Sequence, residues 1–169
     1  MSWVLKDSAR TKPILAMSPE TANACCGHDF VNQLLVDTGF LVALYIRGDT
    51  LHQSALSYLR QNRLPLQTVA PVIVETCFFL DAPGKAALLN WIAHGGLAVA
   101  EIPVSSYPDL AAYIQKYADQ DIDFADTALV WLANQMGQRS ILTVDETDFQ
   151  VYRLKGGQPF ELIRWYERH

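Results

Sequence analysis

The chain has 169 residues, 50% hydrophobic and 18% charged, enough apolar material for one ordinary domain with a core of its own. Thirteen Lys and Arg against eighteen Asp and Glu give a net charge of -5, which excludes a strongly basic protein that coats nucleic acid. The acidity is local: residues 119–148 hold seven acids and one base, Arg139, whereas the remainder carries 11 acids and 12 bases.

In chain order, residues 1–33 mix Ser, Pro, Thr, Asn and Gly without a sustained period and read as a loose N-terminal extension. Its Cys25, Cys26 and His28 lack a fourth ligand at useful spacing, and with Cys77 the cysteines are an odd number, so neither a metal cluster nor a disulfide framework is indicated. A domain over 34–169 begins where the pattern changes. Leu34–Val36 reads as a short buried strand that ends at Asp37-Thr38-Gly39 and runs into the helical FLVALYI. Asp49-Thr50 open a second helix with Leu51, Ala55, Tyr58 and Leu59 on one face. QTVA is a strand, and Pro71 stands where a first-turn proline belongs, ahead of VIVETCFFL. The helix after Asp81 stops at Gly95-Gly96; LAVAEIPV is the next strand and SSYPDLAAYIQKYA the next helix. In DFADTALVWLANQM, Ala125, Ala128, Leu129, Leu132, Ala133 and Met136 recur at helical spacing, with Gly137 as the stop. ILTV and FELI close the series as strands.

Strands separated by helices require crossover connections, hence a mostly parallel sheet covered on both faces: an α/β/α sandwich of three layers. In such folds a ligand site forms beyond the carboxyl ends of the strands. No apolar run approaches the roughly 20 residues that span a bilayer, and the early PILAM is shorter than the signal core of about 7–15 residues. No membrane partner and a cytoplasmic location are the expectation.

Asp37 and Asp145 each follow a strand and belong at the same sheet edge, although Asp also suits a helix cap or a turn. Glu75 sits in a helix apolar on nearly every side, where an ionised carboxylate needs a compensating cation or hydrogen bonds. Asp126 lies in the first turn of the clearest helix, three residues after Asp123, a pairing that also resembles a capping box. Were the four to converge, each pair at about 4 Å would repel by about 4 kcal/mol at an effective dielectric of about 20. Oxygen ligands alone favour Mg²⁺ or Mn²⁺ over zinc, and a hard cation on such an edge suits phosphodiester hydrolysis.

LLVDTGFLVALYIRGDTLHQSAL, APVIVETCFFL, DFADTALVWLANQMG and ILTVDETDF, taken in that order, make the chain resemble the PIN-domain ribonucleases, within them the VapC-like toxins of toxin–antitoxin systems. The resemblance covers about residues 34–163 and does not extend to the segment before Val31. It implies a PIN-like fold and a metal-dependent endoribonuclease whose acidic quartet is Asp37, Glu75, Asp126 and Asp145. Asp37 and Asp126 would bind Mg²⁺ directly, and Glu75 and Asp145 through water or as holders of a second ion. It also implies an RNA substrate, a cognate antitoxin and a homodimer. Thr38 and Thr143 could orient carboxylates or water, or simply satisfy local backbone groups, and Asp148 and His52 match family positions. Thr127 departs from the small Ala that commonly follows the metal Asp.

A phospho-accepting enzyme would show Asp-x-Asp after its first strand, but Asp37 is followed by Thr-Gly-Phe. A catalytically silent PIN-like module would bind RNA or protein only; the presence of all four acids argues against it. Tyr45, Tyr58 and Trp91 are aromatic candidates for an interface, although the core is the simpler place for each. Arg47, Lys116, Arg139, Arg153, Lys155 and Arg164 are the cations available to RNA, scattered too widely in sequence to name a groove.

Overall fold

The computed structural model describes residues 33–167. The expected N-terminal extension, with Cys25, Cys26 and His28, lies outside the described residues apart from Gln33. The order of elements is β1 (Leu34–Val36), α1 (Thr38–Tyr45), α2 (His52–Gln61), β2 (Leu66–Val69), α3 (Ala70–Phe79), α4 (Ala82–Ala93), β3 (Ala98–Ala100), α5 (Tyr107–Lys116), α6 (Phe124–Met136), β4 (Ser140–Leu142), α7 (Glu146–Val151) and β5 (Glu161–Leu162). Single 3-10 turns precede α5, follow it, and precede β5.

The five strands form one parallel sheet in the order β3-β2-β1-β4-β5. With its helices this is the expected α/β/α sandwich. The order has a physical consequence. The chain walks outward from β1 to β2 and β3, then crosses back through α5 and α6 to lay β4 on the other side of β1. The direction of winding therefore reverses between β1 and β4, and the crevice outside their carboxyl ends is the natural ligand site of the fold.

β1 is central and completely buried, so all three of its residues are apolar. Its neighbours across the sheet, Ile141 and Leu142, are equally inaccessible, and Phe40 and Leu41 of α1 and Ala128, Leu129, Leu132 and Ala133 of α6 pack into the same core. A buried Thr68 hydroxyl on β2 is satisfied by donating to the Val36 carbonyl at 2.7 Å. Asp37 and Asp123 cap α1 and α6 through their side chains, and Gly137, at φ 65°, ends α6.

Three expectations are corrected. α2 starts at His52, because Asp49 folds its carboxylate back onto the Leu51 N–H at 2.7 Å and holds a turn before the helix. The strand expected over LAVAEIPV is only Ala98–Ala100, since it lies at the sheet edge and its ladder is limited to Gln67–Val69 of β2. α3 is not enclosed on every side: Val74, Phe78 and Phe79 are 58%, 82% and 59% exposed.

Candidate active site

A recess of about 400 Å³ opens at the β1/β4 crevice. Asp37, Glu75, Asp126 and Asp145 all line it, from the end of β1, the middle of α3, the first turn of α6 and the cap of α7. Asp49, Asp121, Asp123 and Asp148 line it too, and none of the lining residues is Lys, Arg or His. Five of the seven acids in residues 119–148 thus face one cavity.

Each quartet member is held by a neutral donor. Asp37 is 6% exposed; its Oδ1 accepts the Thr38 N–H at 2.6 Å and its Oδ2 accepts the Thr143 hydroxyl at 2.7 Å. The Thr143 hydroxyl oxygen in turn accepts the Asp145 N–H at 2.9 Å. Thr38 donates its hydroxyl to Glu75 Oε2 at 2.6 Å. Both threonines therefore position carboxylates, one of the two roles open to them in the sequence. Asp145 caps α7 by accepting the Asp148 N–H at 3.2 Å.

Asp126 is decided by its partner. A capping box would return its carboxylate to the Asp123 N–H; instead its Oδ2 accepts the Tyr152 hydroxyl at 3.0 Å, while Asp123 alone does the capping. Tyr152 is 1% exposed, wedged edge-on against Tyr117 and Phe149. Its phenol is held protonated by burial and by the Asp126 charge, and so acts as a donor. Sequence reasoning missed Tyr152 because it follows α7, a helix of six residues too short to show a period.

The electrostatics follow from burial without cations. Burial pushes the Asp37 carboxyl up to about 6, with the Glu75 charge adding to it and the Thr143 and Thr38 hydrogen bonds opposing. Burial, then the charges of Asp37 and Asp123, push Asp126 up to about 8, the Tyr152 bond opposing. Asp148 is raised as well, by burial and by Asp145. Among the described residues no three His, Cys, Asp or Glu side chains stand together as a ready-made metal cage; the acids line the recess while bonded to Thr38, Thr143 and Tyr152. Their chemistry nonetheless fits a hard divalent cation: every carboxylate ligand is oxygen, and no Lys, Arg or His lines the recess to balance their charge.

Other expected residues fall as follows. His52 is half-buried and its Nδ1 lies 2.8 Å from the Ala43 carbonyl, tying α2 to α1 outside the acidic wall. Thr127 is buried and donates its hydroxyl to the Asp123 carbonyl at 2.7 Å, leaving Asp126 undisturbed. Tyr45, Tyr58 and Trp91 are half-buried against the core, the place the sequence favours for them over an interface; among the described residues the exposed large rings include Phe78, Phe79, Tyr107 and Phe124.

The chain is 30% identical over 135 residues to Ribonuclease VapC26 of Mycobacterium tuberculosis, an alignment covering 77% of this chain and 99% of that protein. The chain belongs to the VapC family of PIN-domain ribonucleases. No family model matches it. The fold also matches the crystal structure of VapC20 of Mycobacterium tuberculosis, a toxin that cleaves the sarcin-ricin loop, with a TM-score of 0.62, 17% identity, and coverage of 69% of this chain and 94% of that one. At that identity the likeness carries the fold alone. Within this VapC-family fold the acidic recess occupies the winding reversal, where the physics of the sheet places a ligand.

Proposed function

We propose that this chain is a Mg²⁺- or Mn²⁺-dependent endoribonuclease that acts as the toxin of a toxin–antitoxin pair. The observation that carries the reading is the convergence of Asp37, Glu75, Asp126 and Asp145, from four separate segments, on one cation-free recess. The name of its relative, a ribonuclease, supports it.

In this reading Asp37 and Asp126 hold the metal, with Glu75 and Asp145 supporting it through water or a second ion. The cation, when bound, supplies a water nucleophile active at neutral pH and offsets negative charge growing on the phosphate oxygens. The protein's own part is orientation. Thr143 fixes Asp37 and the Asp145 backbone together, Thr38 fixes Glu75, and Tyr152 fixes Asp126. Catalytic geometry is only as good as the groups that hold the ligands in place.

An antitoxin that suppresses the enzyme would cover the acidic recess, whose mouth carries the exposed Phe79 and Val144 as apolar contacts. A second copy of the chain would pack on the exposed Val74 and Phe78 of α3, which lie four residues apart on one helix face. Among the described residues no helix is long and apolar enough to cross a membrane.

The test uses purified full-length protein, a labelled single-stranded RNA, and EDTA followed by Mg²⁺ or Mn²⁺. Cleavage that requires the metal and disappears in Asp126→Asn is expected. Full metal-dependent activity in that variant would sink the assignment. The silent-module rival predicts no Mn²⁺ heat signal in a calorimetric titration, whereas the enzyme reading predicts one that Asp37→Asn removes.

A further inference from the structure

A second recess, of about 370 Å³, lies against the first. Thr127 and Arg153 line it, and the residues immediately before them, Asp126 and Tyr152, line the acidic one. The start of α6 and the segment after α7 are thus a wall common to both.

The character of this second recess is opposite. Lys116 ends α5, and Arg153 and Lys155 follow α7, so folding gathers three cations from two distant segments beside one carboxylate, Asp109. In a chain of net charge -5, that places positive potential beside an acidic site that by itself repels phosphate. The cations are also held in place. Lys116 Nζ stands 5.6 Å and 4.9 Å from the ring centroids of Tyr113 and Tyr117. Both tyrosine hydroxyls accept the Arg153 N–H, at 3.2 Å and 3.1 Å. The Arg153 guanidinium is anchored by Nη1 on the carbonyls of Gln150, Val151 and Tyr152, at 2.6, 2.9 and 2.9 Å. On the same wall Trp131 keeps a buried indole N–H with no acceptor among the described residues. A buried donor without a partner is costly, which marks this wall as incompletely satisfied by the protein's own groups.

We propose that this recess binds backbone phosphates of the RNA strand on one side of the bond to be cut. The proposal rests on the ribonuclease reading above. It favours RNA over an acidic peptide because cations interleaved with aromatic rings, one residue away from the reacting site in two separate segments, match a strand that must continue past that site.

The test is fluorescence anisotropy of a short labelled single-stranded RNA with full-length protein in the Asp126→Asn background, read over a range of salt. Lys116→Gln with Lys155→Gln is expected to weaken binding about tenfold and to reduce the slope of log affinity against log salt by about 1.4, two contacts at about 0.7 each. Lys85→Gln, on α4 and outside the recess, is expected to change neither. Both lysines are exposed, and Lys155→Gln alone, which should reduce the slope by about 0.7, serves if the double variant does not fold. In the otherwise wild-type enzyme the same pair should raise KM for RNA cleavage. Unchanged affinity and slope would overturn the proposal and leave the ribonuclease reading standing. So would unchanged RNA binding accompanied by loss of a purified acidic partner protein. The expected anisotropy result with no metal-dependent cleavage by the wild type would support the RNA contact and fail the ribonuclease reading.

Discussion

Thr143 Oγ1 donates to Asp37 Oδ2 at 2.7 Å and accepts the Asp145 N–H at 2.9 Å, so one hydroxyl joins the ends of β1 and β4 across the winding reversal. The Thr143 carbonyl is itself pinned by the buried Trp165 indole N–H at 3.0 Å. Thr143→Val keeps the shape and removes both bonds. Because such supporting groups set metal affinity, the expected loss is about 10–100-fold in Mn²⁺ affinity and cleavage. Thr143→Ser should restore both, which a role in packing alone would not produce. Calorimetric titration and cleavage assays of the two variants check it.

Asp126 gives a pH signature in metal-free buffer. Its carboxyl stands at about 8 in the fold against an ordinary 3.8, so between those values the native state holds a proton that the unfolded chain has released. A group that binds more protons when folded contributes less stability as pH rises. Its penalty is absent below about pH 4 and complete above about pH 8. Asp126→Asn is neutral throughout and still offers an oxygen to Tyr152. In EDTA its melting temperature should exceed that of the wild type by an amount that grows over this window, to on the order of 5 °C for a domain of this size. Saturating Mn²⁺ should narrow the gap by stabilising only the protein that binds it. A gap independent of pH would contradict the burial and repulsion assigned to this site.

How much of this was legible in the sequence depends on whether a residue's role leaves a periodic trace. α6 was legible because six apolar positions repeat at helical spacing and Gly137 marks the stop. Asp37, Asp126 and Asp145 were legible because strand ends and helix starts can be located before the fold is known, and parallel topology then brings them to one edge; Glu75, in the middle of α3, was marked only by its apolar surroundings and the family resemblance. Tyr152 left no trace, since its pairing with Asp126 joins residues 26 apart across irregular chain. α3 misled in the opposite way. A segment apolar at Val72, Ile73, Val74, Phe78 and Phe79 does not reveal which side the core takes, so exposure of three of them could not be read. The basic recess was hidden because its three cations are charges assembled by the fold.

The exposed face of α3 predicts a change in assembly. Val74 and Phe78, 58% and 82% exposed, form an apolar pair on one face of α3. If a second copy covers them, Phe78→Glu places a charge in the contact and should convert a dimer to a monomer, as measured by light scattering after size exclusion. Because Phe78 is 82% exposed, its replacement should leave the monomer folded, with an unchanged circular dichroism spectrum. A wild-type chain that is monomeric across the accessible concentration range would refute the assigned contact.

Gly39 and Val144 test whether the β4 end must sit where it does. Gly39 lies in the first turn of α1, and a Cβ built there would collide with Val144 Cγ2 and stand 3.3 Å from Val144 Cβ. Val144 is flanked by Thr143 and Asp145, so the absence of a side chain at position 39 lets the segment carrying two site residues lie against the helix capped by Asp37. Gly39→Ala must displace Val144, at a cost of about 1–3 kcal/mol for overpacking, and the displacement passes to Asp145. Cleavage should therefore fall about tenfold or more, a change that corresponds to only about 1.4 kcal/mol of barrier. Adding Val144→Ala removes the colliding methyl groups and should recover most of the activity relative to Val144→Ala alone. Recovery in the double variant identifies the close approach as the cause; continued loss would mean that Gly39 is required for the start of α1 itself.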